Sequence, residues 1–244
     1  MNSWTHWLIK VQLFWLVLMV GAIAAFRASL LTWRPAVILT AAAVCALAVT
    51  GFVALLVLFW GLRTGRWLGV RHCLGSVFLS LPPLVFVLVL GLQGANTPPI
   101  HDITTDTDMP PRFVVAETLR GPGDNSTEYP GAVVARQQLA AYRDILPLET
   151  DLPPHEAFVI ALNLVDQLGW QRTAHDPDQG RIEALDRSLL FGFTDDIVIR
   201  ITAVDGGSRI DIRSASRSGV GDLGVNAGRI RDFLRAFKET HSDS

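Results

Sequence analysis

No carboxylate precedes Asp102. All 23 acidic residues lie at or after that position, while six of the 21 basic residues (Lys10, Arg27, Arg34, Arg63, Arg66 and Arg71) lie before it. The first 101 residues therefore carry +6 and the rest −8, and the formal charge of −2 is the sum of two unlike halves. A hydrophobic fraction of 50% and a mean hydropathy of +0.33 are concentrated in the acid-free half. That excludes an ordinary soluble globular chain, a disordered one, and a nucleic-acid binder of the usual basic kind.

The first half reads as a transmembrane anchor over residues 1–96, with spans near 8–28, 36–62 and 73–93. Val11 to Phe26 is uncharged, about 24 Å of helix at 1.5 Å per residue, so the flanking Lys10 and Arg27 would have to snorkel. Pro35 to Leu62 is long enough to span with tilt. The third run contains Pro82-Pro83, which removes backbone donors, so a kinked span is expected, with a re-entrant hairpin as the alternative. Trp4, Trp7, Trp33, Trp60 and Trp67 sit near span ends as an interfacial belt, and Trp15 lies within a span. No Asp, Glu or Arg interrupts the runs, so anchoring rather than transport is expected.

Arg63, Arg66 and Arg71 share a side with Lys10 and the N-terminus, against Arg27 and Arg34 on the other. The positive-inside rule then predicts a multi-pass protein, of bacterial inner-membrane type, with a cytoplasmic N-terminus and a periplasmic C-terminal domain. Ala22-Ile23-Ala24 imitates a signal-cleavage site, the alternative for the first run, and leaves that orientation unchanged.

Nine of the thirteen prolines fall between Pro98 and Pro154, predicting a proline-rich collar over 97–152 with a short Phe113–Ala116 strand and a helix near Val133–Tyr142. Residues 153–240 read as an α-β-β-β-β-α core. A helix opens at Pro153-Pro154, strands lie near Gln171–Ala174, Arg181–Ser188, Asp196–Val204 and Arg209–Ser216, Asp205-Gly206-Gly207 makes a hairpin, and a last helix covers Asn226–Lys238. Ile197, Ile199 and Ile201 alternate with Val198, Arg200 and Thr202. The fold class expected is a membrane-anchored α+β protein. Its soluble domain would have a four-stranded antiparallel sheet, helices on one face and a solvated ladder of charge on the other.

Several ordered blocks carry a resemblance. They are Ile100-His-Asp-Ile-Thr-Thr-Asp106 with Asp108, Pro110-Pro-Arg-Phe113, Tyr129-Pro130, Gln138 to Tyr142 with Asp144-Ile145, Gly169-Trp170, Ile182-Glu-Ala184, Gly192-Phe-Thr-Asp-Asp196 with Val198-Ile-Arg200, Arg209 to Arg217, Asp222-Leu-Gly224 and Asn226-Ala227. Together they resemble the domain-of-unknown-function family 1499 (DUF1499) over about residues 100–238. Arg143 stands where proline is usual, and Gly221 where serine is usual. The resemblance implies a membrane-linked or exported domain and assigns no catalytic residue.

Gly219-Val-Gly-Asp-Leu-Gly224 spells the dinucleotide fingerprint, but only 20 residues follow it, too few for the crossover helix and second strand, and Asp222 would repel a pyrophosphate. No dinucleotide is expected there. An anion held with Arg213, Arg217 and Arg229 remains an alternative to a turn capped by Asp222 or Asn226. Asp102, Asp106 and Asp108 lack the glycine and glutamate of an EF-hand loop, so no metal is assigned. Asp195 and Asp196 should point to opposite faces. Ser214 and Ser216 have no nucleophile elbow. The outer half has no cysteine, which excludes a disulfide or thiolate metal site there.

The expected function is a membrane-tethered accessory protein whose exported domain binds a membrane or periplasmic partner protein, or an envelope ligand. The candidate binding residues are Asp102, Asp106, Asp195, Asp196, Arg200, Arg213, Ser214, Arg217, Asp222 and Asn226. No catalytic residue, cofactor or nucleic-acid partner is assigned; the lipid bilayer is the expected partner of the first half. The alternative is an enzyme or small-ligand receptor whose polar site forms where Asp102–Asp108 meets Arg213–Asp222.

Overall fold

A computed structural model describes residues 4–65 and 69–242. Arg66 and Trp67, counted above among the topology-setting charges and belt aromatics, lie outside the described residues. The chain divides into two compact units, Met1–Leu92 with Leu189–Gly192, and Gln93–Ser188 with Phe193–Ser244.

The first unit is built on α1 (His6–Arg27), α2 (Trp33–Thr64) and α3 (Val70–Ala95), each long and apolar enough to cross a membrane. The 22 residues of α1 make about 33 Å of helix, so it is not short: the helix continues through Lys10, whose Nζ lies 4.5 Å from the Trp7 ring centroid. α3 runs through Pro82-Pro83 as one helix, so the re-entrant alternative does not form. Gln12, fully buried, joins all three helices: its Nε2 donates to Leu47 O (3.3 Å), Ser76 O (2.9 Å) and Ser76 Oγ (3.0 Å). Polar side chains act as glue where lipid offers no hydrogen bonds. Where α2 passes α3, a methyl at Gly51 would stand 2.4 Å from Ser80 Oγ, so a larger residue there would require Ser80 to shift.

The second unit holds a six-stranded antiparallel sheet rather than the expected four strands. The strands are β1 (Asp102–Thr104), β2 (Leu148–Thr150), β3 (Gln171–Asp176), β4 (Arg181–Arg187), β5 (Thr194–Val204) and β6 (Gly207–Ser216). Their order is β1-β6-β5-β4-β3, with β2 also on β6: β1 pairs with its Arg213–Ala215 end and β2 with its Ser208–Ile210 end. Asp205-Gly206 is the two-residue turn of the β5–β6 hairpin; Gly206 takes φ +84°, and a side chain at Gly207 would collide with Thr150 O of β2.

Side-chain alternation assigns the faces. Ile182, Ile197, Ile199, Ile201, Ile210 and Ile212 are buried with Phe158 and Leu164 of α6 (Pro154–Gln167) and Ile230, Phe233 and Phe237 of α7 (Val225–Ser242). Each such side chain contributes about 1.5–3 kcal/mol on burial. At one edge of the sheet, the fully buried Gln138 of α5 (Ala132–Ala141) stands in for a further strand. Its Oε1 accepts from Thr104 N (3.0 Å) and its Nε2 donates to Thr104 O (2.6 Å).

The collar corrects two expectations. Phe113–Ala116 is not a strand; residues Val115–Leu119 form a helical turn, α4. Nor do the helices all lie on one face: Phe113 and Ala116 pack on Val198 and Ala215, on the face opposite α6 and α7. The acidity is also less solvated than expected. Asp102, Asp106, Glu183, Asp195, Asp196 and Asp211 are all buried.

Candidate functional site

The charged sheet face is covered by the collar and neutralised by it. Arg213, 2% exposed, donates from Nε to Asp102 Oδ1 (2.9 Å) and from Nη2 to Asp102 Oδ2 (2.7 Å). Its remaining donors reach Pro111 O (3.1 Å) and Thr127 O (2.8 Å), and its guanidinium lies over the Phe113 ring at 4.7 Å and the Tyr129 ring at 5.5 Å. One strand side chain thus holds the collar at residues 102, 111, 113, 127 and 129. A second clasp is built on Asp196, whose carboxylate accepts from Arg217 of the loop after β6 (2.7 and 3.0 Å) and Arg120 of the collar (2.8 Å). Arg120 also donates to Asn125 O, Ser126 O and Ala215 O. A third joins Asp106 and Asp211 to Arg200 and Arg209 at 2.8–3.1 Å. The buried carboxylates of Asp102 and Asp196 are each gripped by a guanidinium in bidentate geometry, which leaves them little free valence.

Glu183 performs a fourth task. Its carboxylate accepts from Val114 N (2.9 Å), Val115 N (3.0 and 3.1 Å) and Ala116 N (3.0 Å), so a strand residue caps α4, where the donors are unsatisfied and the helix end is positive. That cap explains a five-residue helix that propensity alone would not sustain.

The opposite face carries its own network. Asp195 points toward α7, where Arg229 Nη2 donates to Asp195 Oδ2 (2.9 Å) and Asp186 Oδ2 (2.8 Å). Ser214 Oγ donates to Asn226 Oδ1 (2.6 Å), and Asn226 Nδ2 donates to Ser216 Oγ and His101 O (both 3.0 Å). Ser214 Oγ also accepts from Arg229 Nη1 (3.0 Å), so the hydroxyl is held between an amide and a guanidinium. Asp222 caps α7, accepting from Gly224 N (2.9 Å) and Asn226 N (2.7 Å). Burial pushes its carboxyl above the usual range, against the lowering effect of those two bonds.

Asp102–Asp108 and Arg213–Asp222 do therefore meet, because β1 lies on β6. They meet as ion pairs and caps, with Asp102 and Arg213 in direct contact at 2.7 Å. The candidate residues separate into two clusters on the two sheet faces: Asp102, Asp106, Asp196, Arg200, Arg213 and Arg217 under the collar, and Asp195, Ser214, Asp222 and Asn226 toward α7.

Open space lies beside the clasps. A groove of about 540 Å³ runs between the collar residues Met109, Pro110, Pro111 and Arg112 and the sheet residues Arg181 and Arg200. Arg181 is paired with Asp176 and Glu183. Arg200 donates to Met109 O (2.9 Å) and two carboxylates, and its Nε is buried without a partner. Arg112 is exposed and has no ion-pair partner among the described residues. Sequence reasoning missed Arg112, Arg181, Arg120 and Glu183. The signal for Arg112 was its place in Pro110-Pro-Arg-Phe113, where a rigid extended segment exposes one long cation beside a buried aromatic. A smaller groove of about 430 Å³ is bordered by Asp108, Tyr129 and Arg136. Burial first, and Asp102 second, push the Tyr129 phenol up to about 12, with Arg213 opposing.

Residues 102–237 match the family model described as Protein of unknown function (DUF1499). A search of curated proteins gives no match.

Proposed function

The chain belongs to the DUF1499 family of proteins of unknown function, and from that premise we propose that it is a membrane-tethered binding module whose C-terminal domain, held outside the cytoplasm, docks an acidic segment of an envelope partner protein. The observation that carries this reading is the Arg112–Arg181–Arg200 groove. The other charged candidates are spent on holding collar to sheet or on contacts with α7, whereas this groove combines an apolar floor of Met109 and Pro110-Pro111 with an uncommitted guanidinium. Arginine, methionine and aromatics are the residues enriched where proteins recognise one another, and a guanidinium is suited to bidentate capture of a carboxylate.

The three apolar helices anchor the module in a bacterial inner membrane, and the arginines before residue 72 set its orientation. The enzyme or receptor reading loses ground, because Asp102 and Arg213 neutralise each other and the Ser214 hydroxyl is held by Asn226 and Arg229.

The test is co-purification of the full-length protein from its native membrane, wild type against Arg112→Glu. Recovery of a partner by the wild type and its loss on charge reversal support the reading; equal recovery by both overturns it. A reporter fused after Ser244 that is active only outside the cytoplasm tests the orientation, and cytoplasmic activity would refute it.

A further inference from the structure

The Gly219–Gly224 loop, excluded as a dinucleotide cradle, has a different use. Its helix-start amides are already occupied: Gly224 N and Asn226 N donate to Asp222, which leaves them unavailable to a phosphate. Its apolar side chains, in contrast, are turned outward. Val220, Leu223 and Val225 are 73%, 40% and 50% exposed. Leu223 holds φ +56°, a left-handed backbone that a leucine rarely adopts, so the turn accepts strain to present this side chain. The charge of Asp222 is directed inward, so the outward surface formed by Gly219, Val220, Gly221, Leu223, Gly224 and Val225 is uncharged.

The loop is fastened to the segment that follows α3. Asp222 N donates to Ile100 O (3.2 Å), and His101 Nδ1 lies 3.3 Å from Val220 O. A side chain at Gly94 would meet Leu223 Cδ2 at 3.0 Å, and a side chain at Gly224 would meet Thr97 Cγ2 at 3.2 Å. Gly94 is in the last turn of α3, which ends at Ala95. Leu223 therefore packs, within the second unit, beside Gly94 in the last turn of a helix of membrane-spanning length.

We propose that residues 219–225 form an interfacial loop that lays Val220, Leu223 and Val225 into the boundary between headgroups and acyl chains of the bilayer crossed by α3. The proposal rests on the reading of α3 as a membrane span. Burying small uncharged apolar side chains in this boundary region is favourable, and three such side chains on one turn make a contact with lipid that adds to the anchorage given by the spans.

The test places an environment-sensitive dansylalanine, one site at a time, at Val220, Leu223, Val87 and Val204 of the full-length protein, reconstituted in phosphatidylcholine/phosphatidylglycerol nanodiscs. Val87 lies within α3 and Val204 at the exposed end of β5. The expected result is that the labels at Val220 and Leu223 are quenched by brominated lipid, shielded from iodide and blue-shifted relative to the label at Val204. If both behave like Val204 while Val87 is quenched by lipid, the loop proposal fails and the span stands. If Val87 is also quenched by iodide, the span reading fails and the loop proposal with it.

Discussion

The Arg213 guanidinium forks onto the Asp102 carboxylate at 2.7 and 2.9 Å, with both side chains at most 2% exposed, and so fixes the first residue of β1 to β6. Removing one partner leaves an uncompensated buried charge. Asp102→Ala or Arg213→Ala should each destabilise the domain by about 3–5 kcal/mol. Replacing both by apolar residues of similar size should recover only part of that loss, because Pro111 O and Thr127 O would still lack their donor. Urea unfolding of the full-length chain in detergent, followed by near-ultraviolet circular dichroism, measures all three variants.

Glu183 gives a more local prediction. Glu183→Gln puts an amide NH₂ against a cluster of backbone donors. It should cost about 1–3 kcal/mol, with faster hydrogen exchange concentrated at residues 114–119 while the β5–β6 ladder keeps its protection. Uniform loss of protection would show that the cap is not local.

Two carboxyl groups predict opposite pH effects. Burial first raises the folded-state pKa of Asp222, so its protonated form is favoured on folding and its contribution to stability falls as pH rises from the ordinary carboxylate value through the raised one. Asp144, hydrogen-bonded by Arg231, has a lowered pKa; its contribution is present above the ordinary value and is lost as pH falls through the folded one. Subtracting the acid-range melting curves of Asp222→Asn and Asp144→Asn from those of the wild type should give slopes of opposite sign. Asp144 is exposed, so solvent screening makes its slope the shallower.

The Tyr129 hydroxyl is buried without a partner, so Tyr129→Phe should be neutral or raise stability by up to about 1 kcal/mol. The same variant should remove from the 295 nm titration the phenol that ionises near 12. A clear loss of stability would mean that the hydroxyl is hydrogen-bonded after all.

The sequence made some of this legible and hid the rest for physical reasons. Ile197, Ile199 and Ile201 alternate because one face of β5 meets α6 and α7, and that period can be read directly. The same alternation says only that Asp196, Arg200 and Arg213 share the other face, not whether solvent or a second layer covers it; the collar does, and its covering segment shows no period of its own. β1 and β2 are three residues each and α4 five, too short for periodicity, and α4 is capped by a glutamate 67 residues further along the chain. Gln12 is a lone amide within the uncharged run Val11–Phe26. Its role was not legible, since its partners lie in two other helices.

The central claim is that the paired charges under the collar are structural and that the groove beside them is the working surface. The most direct measurement is photocrosslinking in the native membrane from p-benzoylphenylalanine placed at Val114, on the groove, and separately at Val204, at the far end of β5. The account predicts a discrete protein adduct from Val114 that disappears with Arg112→Glu, and none from Val204. Adducts formed equally from both positions, or one from Val114 that survives the charge reversal, would contradict it.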